Sequence, residues 1–350
     1  MSMAPEVICE KKGSVGVITL NRPRALNALS RDMVQGMSVA LAEWKDDPAI
    51  KAVIVKGAGE KAFCAGGDVR TLREYCLAGM REEALDFWYE EYILNTQIHR
   101  FPKPYISLIG GIVMGGGVGV SIHGSYRVAG DNYLFAMPEV GIGFFPDVGA
   151  AYPLSRVKSQ FGTYLAITGD RVKRDDAIYL GLATHAVATS DFDNIEQKLA
   201  DGEDVDTVLA EYAVKVQPSH LAEQETFISE TFSAETVIEI INRVRNAAEH
   251  SEFAQHLLKC FEGKSPTSMC VSLEQMRRAA KLDFDGVMEM DYRLSCRLCE
   301  LGQDFFEGVR AVLVDKDNWP RWSPAKLEDV KPEVVSAYFE PLASKEFKAP

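Results

Sequence analysis

Short β-rich runs alternate with helical patterns through the first half of the chain, and this order restricts the folds open to it. The runs VGVITL (15–20), AVIVKG (52–57) and YISLIG (105–110) have the apolar, β-branched composition of buried strands. Between them, residues 30–44 and 82–100 have the apolar spacing of helices. Strands that alternate with helices stack as repeated units, so the sequence predicts an α/β fold.

The second part of the chain, from about residue 205, has a different pattern. Strand-like runs become rare, and helical spacing continues through residues 234–247, 251–263, 265–281 and 284–302. No low-complexity linker marks the change. We therefore predict two parts that pack together, an α/β core over residues 1–205 and a helical region over residues 206–350.

The charge balance limits the partners of the chain. Its 350 residues are 47% hydrophobic and 25% charged, as in a globular protein with a sizeable core, and the formal net charge is −13. An acidic surface disfavours binding to nucleic acid or anionic membranes, and no apolar run reaches membrane-spanning length. We therefore expect neither partner. An anionic ligand would need local help from backbone N–H groups or a few arginines.

The cysteines and histidines indicate a reducing compartment and no catalytic metal. The seven cysteines are odd in number and scattered, as is typical of reduced thiols. Cys296 and Cys299 form a lone C-x-x-C pair in a helical pattern, where packing is favoured over redox or zinc chemistry. The six histidines show no H-E-x-x-H spacing. The first residues resemble neither a signal peptide nor a presequence, so we expect a cytoplasmic protein, or a mitochondrial-matrix protein if a presequence has been removed.

Two glycine clusters each lie between a strand and a helix. FCAGGD (63–68) and GGIVMGGGVG (110–119) would place free backbone N–H groups at helix N-termini, where the peptide dipoles favour negative charge. Two such places facing each other would form an oxyanion hole, although the same glycines would also permit tight turns and close helix packing. Neither G-x-x-x-x-G-K-[ST] nor G-x-G-x-x-G fits, so a nucleotide-binding loop is not favoured.

The stretch FAMPEVGIGFFPDVG (135–149) holds two carboxylates in apolar, glycine-rich surroundings. An apolar setting would raise the pKa of Glu139 and destabilise the fold unless the group had a function. Asp147 has the simpler alternative of capping the helix that follows, but two neighbouring carboxyl groups can also divide acid and base roles. Glu90 and Glu91 add a third candidate. Only one of these two can face inward from a helix, and their spacing alone favours a solvated pair.

Three segments together point to a family. VITLNRPRALNAL (17–29), KAFCAGGDV (61–69) and MGGGVGVS (114–121) resemble the enoyl-CoA hydratase/isomerase superfamily, the crotonases, in content and in order. The resemblance implies a crotonase-like spiral of stacked ββα units that holds an acyl-CoA site, followed by the helical C-terminal region. It also implies that Gly67 and Gly116 supply two N–H donors for a thioester oxygen.

Further segments narrow the resemblance to the branch of this family that hydrolyses 3-hydroxyisobutyryl-CoA to 3-hydroxyisobutyrate and coenzyme A. These segments are EEYILN, MGGGVGVSIHG, FAMPEVGIGFFPDVGAAYPLSR, MDYRLS and DFFEGVRAVLVDKD. In this pattern Glu139 matches the catalytic glutamate, which would attack the carbonyl or act as general base, and Asp147 matches the second acid. Glu91 matches a substrate-contacting acid, so Glu91, Gly116, Glu139 and Asp147 are the implied substrate-binding residues.

The resemblance also implies where the coenzyme A part of the substrate binds. Arg24, in NRPRAL, would meet a phosphate or remain a surface arginine, and the backbone of Cys64, Ala65 and Gly66 would contact the adenine. We expect no metal and no cofactor, because coenzyme A is part of the substrate. Members of the superfamily often form trimers, so a homo-oligomer is one assembly that the resemblance allows.

At two places the sequence departs from the pattern of the family in ways that bear on the reaction. Hydratases of the superfamily carry a first catalytic glutamate where this chain has Gly119, so the sequence favours hydrolysis over alkene hydration. FPDVGAAYPL has two alanines where the hydrolase pattern has glycine, which leaves substrate breadth open. The alternatives are an enoyl-CoA hydratase or isomerase of the same superfamily and a catalytically silent acyl-CoA-binding scaffold. Retention of both Glu139 and Asp147 argues against the scaffold.

Overall fold

The computed structural model describes residues 4–301, 303–343 and 346–350. Its strands are β1 (Val7–Lys12), β2 (Val15–Leu20), β3 (Ala52–Gly57), β4 (Ala62–Cys64), β5 (Tyr105–Ile109), β6 (Ile112–Met114), β7 (Tyr126–Ala129), β8 (Leu134–Ala136), β9 (Val172–Lys173) and β10 (His185–Ala186). The predicted strands over 15–20 and 52–57 are confirmed as β2 and β3. The third is confirmed as β5, which ends one residue early, at Ile109.

Helices lie between the strands in the first part of the chain and dominate after β10. They are α1 (Arg31–Asp46), α2 (Val69–Leu77), α3 (Arg81–His99), α4 (Gly116–Gly119), α5 (Ala151–Leu154), α6 (Phe161–Thr168), α7 (Arg174–Leu180), α8 (Phe192–Ala200), α9 (Val205–Tyr212), α10 (Glu225–Phe232), α11 (Val237–Ala247), α12 (Glu252–Phe261), α13 (Pro266–Ala279), α14 (Phe284–Leu301), α15 (Gln303–Val309) and α16 (Pro332–Tyr338). Residue 302, where the pattern predicts the end of α14, lies outside the described residues. Across the described ranges, no helix is long and apolar enough to cross a membrane.

The strands form two sheets, and from β3 to β8 consecutive strands alternate between them. The first sheet has the order β1-β2-β3-β5-β7-β10, and the second has the order β4-β6-β8-β9. The β1–β2 and β8–β9 pairs are antiparallel, whereas the pairs between them are parallel. The chain therefore crosses from one sheet to the other and returns through helices, which is the predicted spiral of ββα units.

One continuous apolar core runs through both parts of the chain. Trp44 and Tyr92 from the first part and Val271 and Phe305 from the second belong to the same buried cluster. Helix α13 packs on α6, and α14 packs on α3. The division at residue 205 stays a prediction, since this shared core shows only that the two parts pack against each other.

The thiols form no disulfide framework. All seven cysteines are free. The Sγ atoms of Cys299 on α14 and Cys76 on α2 lie 3.5 Å apart, while Cys296 is buried. The C-x-x-C pair therefore contributes to helix packing, and one of its thiols joins α14 to α2.

Candidate active site

A cavity of about 810 Å³ brings the two glycine clusters and the predicted acids together. It lies between the loop after β4, the start of α4, helix α3 and the 3-10 turn Glu139–Ile142. Residues 262–264 and parts of the segment 312–320 line its other side. The predicted site residues that line it are Arg24, Ala65, Gly66, Gly67, Glu91, Gly116, Glu139 and Asp147.

The two glycine clusters meet at the wall of this cavity. An ideal Cβ on Gly116 would lie 3.1 Å from the Gly67 nitrogen, so the two backbones approach closely. Gly66 has a φ of +128° and Gly115 a φ of +49°, backbone conformations that other residues rarely adopt. Within the described ranges, neither the Gly67 nor the Gly116 N–H donates a hydrogen bond to another residue. The turns therefore present two unused donors to a ligand oxygen.

Glu139 opens the 3-10 turn that follows β8 and is only 6% exposed. Its Oε2 has no hydrogen-bond partner among the described residues, and its Oε1 would lie 2.9 Å from an ideal Cβ on Gly115. Burial raises the pKa of Glu139 well above its usual range, and the charges of Asp147 and Glu91 raise this pKa further, against the opposing effects of its own N–H and Lys264. A carboxyl group held in this way is a strong base once it is ionised.

Helix α3 holds the second acid in place. The Tyr92 hydroxyl donates a hydrogen bond of 2.9 Å to Asp147 Oδ2 and lies 2.8 Å from Ser295 Oγ on α14. Burial raises the pKa of Asp147 to about 7, although the hydrogen bond from Tyr92 lowers it. The alternative in which Asp147 caps a helix is wrong. Helix α5 begins at Ala151, its N-cap is Ala150, and the Asp147 carboxylate accepts from Tyr92 instead.

Glu90 and Glu91 point to different surroundings. Glu90 forms a two-pronged ion pair with Arg31 at the partly exposed surface. Glu91 is 2% exposed and lines the cavity, and its Oε1 has no partner among the described residues. Burial, and then the charge of Asp147, raise the pKa of Glu91 well above its usual range. The spacing of the two acids favoured a pair exposed to solvent. This prediction is wrong for Glu91, because successive residues of a helix point in directions about 100° apart.

Aromatic side chains that sequence reasoning missed form the apolar wall of the cavity. Trp88 stacks on Phe144 with ring centroids 5.5 Å apart, and both rings pack on Phe305 of α15. Trp88, Phe87 and Phe144 line the cavity. Trp88 precedes Glu91 by three residues on α3, so the two share a helix face. The three-residue spacing from Trp88 to an inward-facing Glu91 is the sequence signal that could have predicted Trp88 in the cavity wall.

Only some of the residues implied to bind coenzyme A line the cavity. Arg24, Ala65 and Gly66 line the cavity, whereas Cys64 is fully buried outside the lining and donates its S–H to the Gly66 carbonyl. Sequence reasoning missed the other cations of the lining, which are Arg70, Arg171, Lys264 and Lys316. They come from separate segments, so no local basic motif indicates them. Together they give a chain of net charge −13 a local surface that attracts anions.

A buried network from α13 and α14 supports the loop that carries Asp147. Asp291 Oδ2 accepts a hydrogen bond of 2.9 Å from the Gly149 N–H. The Gln275 side-chain amide donates 2.8 Å hydrogen bonds to Asp291 Oδ1 and to the Pro146 carbonyl. Residues of the helical region therefore hold both ends of this short loop.

Gly119 lies against the same loop. An ideal Cβ on Gly119 would lie 2.6 Å from Val148 Cβ and 2.8 Å from Asn95 Nδ2. Val148 has a φ of +54°, which is unusual for a β-branched residue, and its carbonyl lies 2.7 Å from His123 Nε2. The space at Gly119 is therefore closed to a side chain in this arrangement of the loop.

A family model described as enoyl-CoA hydratase/isomerase matches residues 15–339. The chain belongs to this family. Among its relatives is the mitochondrial 3-hydroxyisobutyryl-CoA hydrolase of Rattus norvegicus, 44% identical over 98% of this chain and 91% of the relative. The Homo sapiens protein of the same name is 43% identical over 99% of this chain and 91% of the relative.

Solved structures of the enoyl-CoA hydratase/isomerase family share the fold over nearly the whole chain. A carnitinyl-CoA dehydratase from Mycobacterium thermoresistibile is 42% identical with a TM-score of 0.92, covering 97% of this chain and 98% of its own. An enoyl-CoA hydratase from Rhodobacter sphaeroides 2.4.1 is 36% identical with a TM-score of 0.91, covering 98% and 99%. The predicted family fold, with its helical C-terminal region, is confirmed. The names of these proteins differ in activity, so the reaction has to be argued from the site.

Proposed function

We propose that this family member hydrolyses the thioester of 3-hydroxyisobutyryl-CoA and releases 3-hydroxyisobutyrate and coenzyme A. The observation that carries the proposal is the buried Glu139, whose unpartnered Oε2 belongs to the cavity that also presents the unused N–H groups of Gly67 and Gly116. The names of the rat and human relatives support the same reaction.

The oxyanion hole acts on the thioester oxygen in this proposal. The carbonyl oxygen accepts hydrogen bonds from the Gly67 and Gly116 N–H groups and gains negative charge as the carbonyl carbon becomes tetrahedral. One such donor stabilises the transition state by roughly 3 kcal/mol. Because the backbone fixes both donors before the substrate arrives, they need no reorganisation during the reaction.

Glu139 acts at the carbonyl carbon in one of two ways. As a nucleophile, its carboxylate forms a bond to this carbon, the C–S bond breaks, coenzyme A leaves with a proton, and water then opens the mixed anhydride. As a general base, Glu139 takes a proton from a water molecule that attacks the carbon directly; the C–S bond then breaks, and coenzyme A leaves with that proton. Each route consumes one water molecule and uses the ionised form of Glu139.

The other acids and the aromatic wall position the acyl group. Asp147, held by Tyr92, orients the substrate or protonates the leaving group and can bind the 3-hydroxyl. Glu91 closes the other side of the acyl pocket, and Trp88 offers an apolar surface to the branched acyl chain. 3-Hydroxypropionyl-CoA lacks one methyl group, a difference worth only about 1–3 kcal/mol, so we expect it to be a weaker substrate rather than an excluded one.

Hydration of an enoyl-CoA is the rival reaction, and the names of the two solved structures favour it. The superfamily's hydratases place a glutamate at the position of Gly119. Here Val148 and Asn95 occupy the space that such a side chain needs. This closed space supports hydrolysis over hydration.

Release of free thiol tests the proposal. The purified protein is mixed with 3-hydroxyisobutyryl-CoA and a thiol-reactive dye, while loss of enone absorbance is followed in parallel with crotonyl-CoA. We expect thiol release without hydration, and a loss of about 10²- to 10⁴-fold in Glu139→Gln with binding of the CoA ester retained. Glu90→Gln, at the neighbouring outward acid, is the matched control and should keep full activity. Hydration without thiol release would identify a hydratase, and ester binding without turnover would identify a silent scaffold.

Oxygen-18 labelling separates the two routes. Over multiple turnovers in labelled water, incorporation of the label into the Glu139 carboxylate supports the anhydride route. An unlabelled Glu139 after many turnovers would show that water attacks the acyl carbon of the substrate, as it does in the general-base route.

The compartment and assembly are also proposals. The rat and human relatives are named as mitochondrial, which favours the mitochondrial matrix over the cytoplasm, and fractionation of cells that make the native protein tests this. The homo-oligomer and the lack of a cofactor stay predictions. Sedimentation velocity tests the first, and activity after exhaustive dialysis against a chelator tests the second.

A further inference from the structure

Three side chains of metal-binding type converge behind the wall of the acyl cavity. One ligand atom each from Asp170, His256 and Cys260 lies within 4.8 Å of the other two. His256 and Cys260 are one turn apart on α12, so their side chains share a helix face. Asp170 follows α6, which packs against α12. The proposed hydrolysis uses none of these side chains.

Hydrogen bonds connect the three side chains to one another. His256 Nε2 lies 2.6 Å from Asp170 Oδ2 and 3.3 Å from Cys260 Sγ. One ring nitrogen carries either one N–H or one lone pair, so it can make only one well-directed hydrogen bond at a time. The carboxylate oxygen, the ring nitrogen and the sulfur are the donor types that zinc takes, and a bound ion would replace the hydrogen bonds among them.

The Asp170 carboxylate is oriented from outside the cluster. The hydroxyl of the buried Tyr164 donates a hydrogen bond of 2.6 Å to Asp170 Oδ2, and the Arg171 N–H donates one of 2.7 Å to Oδ1. Outer hydrogen bonds of this kind orient the carboxylates that bind metals in proteins. This ligand is therefore held in place by the fold itself.

We propose that Asp170, His256 and Cys260 form a binding site for Zn²⁺ or a similar divalent cation of borderline softness. Carboxylate, imidazole and thiolate are all zinc ligands, and three of them leave a fourth tetrahedral position for water. The His256 side chain is 52% exposed, so the ion reaches the site from solvent. Mg²⁺ and Ca²⁺, which take oxygen ligands, bind far more weakly to this set.

The site adjoins the cations of the acyl cavity, which gives the ion a role in substrate binding. Arg171 follows Asp170 directly, Lys264 comes four residues after Cys260, and both cations line the cavity. Zn²⁺ with one carboxylate and one thiolate has a net charge of zero, whereas the carboxylate with a thiol has a charge of −1. Loading the site removes a negative charge near the anionic coenzyme A. The KM for acyl-CoA therefore falls about twofold at low salt with kcat unchanged, an effect that rests on the proposed acyl-CoA function.

Metal binding is measured directly, with Zn²⁺ and Co²⁺ added to full-length protein that has been dialysed against a chelator. Competition with a chromophoric chelator gives the stoichiometry and the affinity, and Co²⁺ reports a thiolate ligand through a charge-transfer band. We expect one ion per chain, a rise in the melting midpoint, and affinity reduced at least about 10-fold in His256→Asn and in Cys260→Ala. The Co²⁺ charge-transfer band disappears in Cys260→Ala.

Matched variants keep the test independent of folding and of catalysis. His250→Asn changes an exposed histidine nearby, Cys9→Ala changes a half-buried thiol elsewhere, and both should bind zinc like the parent protein. His256→Asn alters an exposed side chain, so the fold is retained and its thermal melt verifies this. No zinc binding in the parent, or equal binding in His256→Asn, would overturn the site. Binding without a change in KM would overturn only its role, and failure of the thioesterase assay leaves the metal measurement intact.

Discussion

Replacing Tyr92 by phenylalanine removes one oxygen atom from the site and leaves its shape intact. That oxygen donates the 2.9 Å hydrogen bond to Asp147 Oδ2 and also contacts Ser295 Oγ at 2.8 Å. The hydrogen bond lowers the pKa of Asp147, which burial holds at about 7. Tyr92→Phe therefore raises this pKa further.

The size of the effect follows from the charge on the acceptor. A hydrogen bond to a charged group stabilises by about 1.5–3 kcal/mol, which corresponds to about 1–2 pH units at 1.36 kcal/mol each. At pH 7 about half of Asp147 is ionised in the parent protein, and about a tenth to a hundredth would be ionised in the variant. If catalysis uses the Asp147 carboxylate, kcat/KM at pH 7 falls about 5- to 50-fold and recovers at higher pH. If it uses the acid form, kcat/KM at pH 7 changes by less than about twofold and the alkaline limb moves upward.

The assay is thiol release from 3-hydroxyisobutyryl-CoA between about pH 5 and pH 9.5, the range in which such groups titrate. Tyr105→Phe is the matched control, because the Tyr105 hydroxyl is also buried and donates a 2.9 Å hydrogen bond to the Val120 carbonyl, away from the acids. Both variants lose a buried hydroxyl, but only Tyr92→Phe should move a limb of the pH profile. Superimposable profiles for the two variants would refute the assignment of Tyr92 as the group that tunes Asp147.

Single substitutions can test other consequences of the buried acids and of the closed space at Gly119. Because burial raises the folded-state pKa of Asp147 from 3.8 to about 7, the ionised group destabilises the fold as pH rises through this window. Asp147→Asn should therefore be more stable than the parent in urea unfolding at pH 8, by up to about 4 kcal/mol, with the gain vanishing near pH 4. The same variant removes a charge that raises the pKa of Glu139, so the acidic limb of its residual activity should move to lower pH; a limb that stays in place contradicts the coupling. Lys264→Met removes a charge that lowers this pKa, and the acidic limb should move to higher pH. Gly119→Ala sets a Cβ 2.6 Å from Val148 Cβ and should cost about 1–3 kcal/mol in the same unfolding assay, and Gly119→Glu should gain no crotonyl-CoA hydration.

Local chemistry explains which elements the sequence could predict. The strands β2 and β3 are short apolar runs that the fold buries, so the local pattern and the packing agree. The two glycine clusters were identifiable because each follows a strand, and the resemblance to the family then singled out Gly67 and Gly116. Glu139 stood out because an acid in apolar surroundings needs a compensating role.

Contacts between segments that are far apart in the sequence could not be predicted. Trp88 and Phe144 stack although they lie 56 residues apart, and no local pattern pairs them. The support of the Asp147 loop by Asp291 joins segments more than a hundred residues apart. Glu91 was misjudged because the spacing of two adjacent acids does not show which of them faces inward; here Glu90 pairs with Arg31 and Glu91 lines the cavity.

Gly119 and Val148 share one small volume, so substitutions at these two positions are coupled. A larger side chain at position 119 runs into Val148, whereas a smaller one at position 148 leaves a void beside a backbone held at a φ of +54°. Either change alone should cost stability, and the two together should cost less than the sum of the single changes. A side chain at position 119 therefore has to be accommodated by a compensating change in its neighbours.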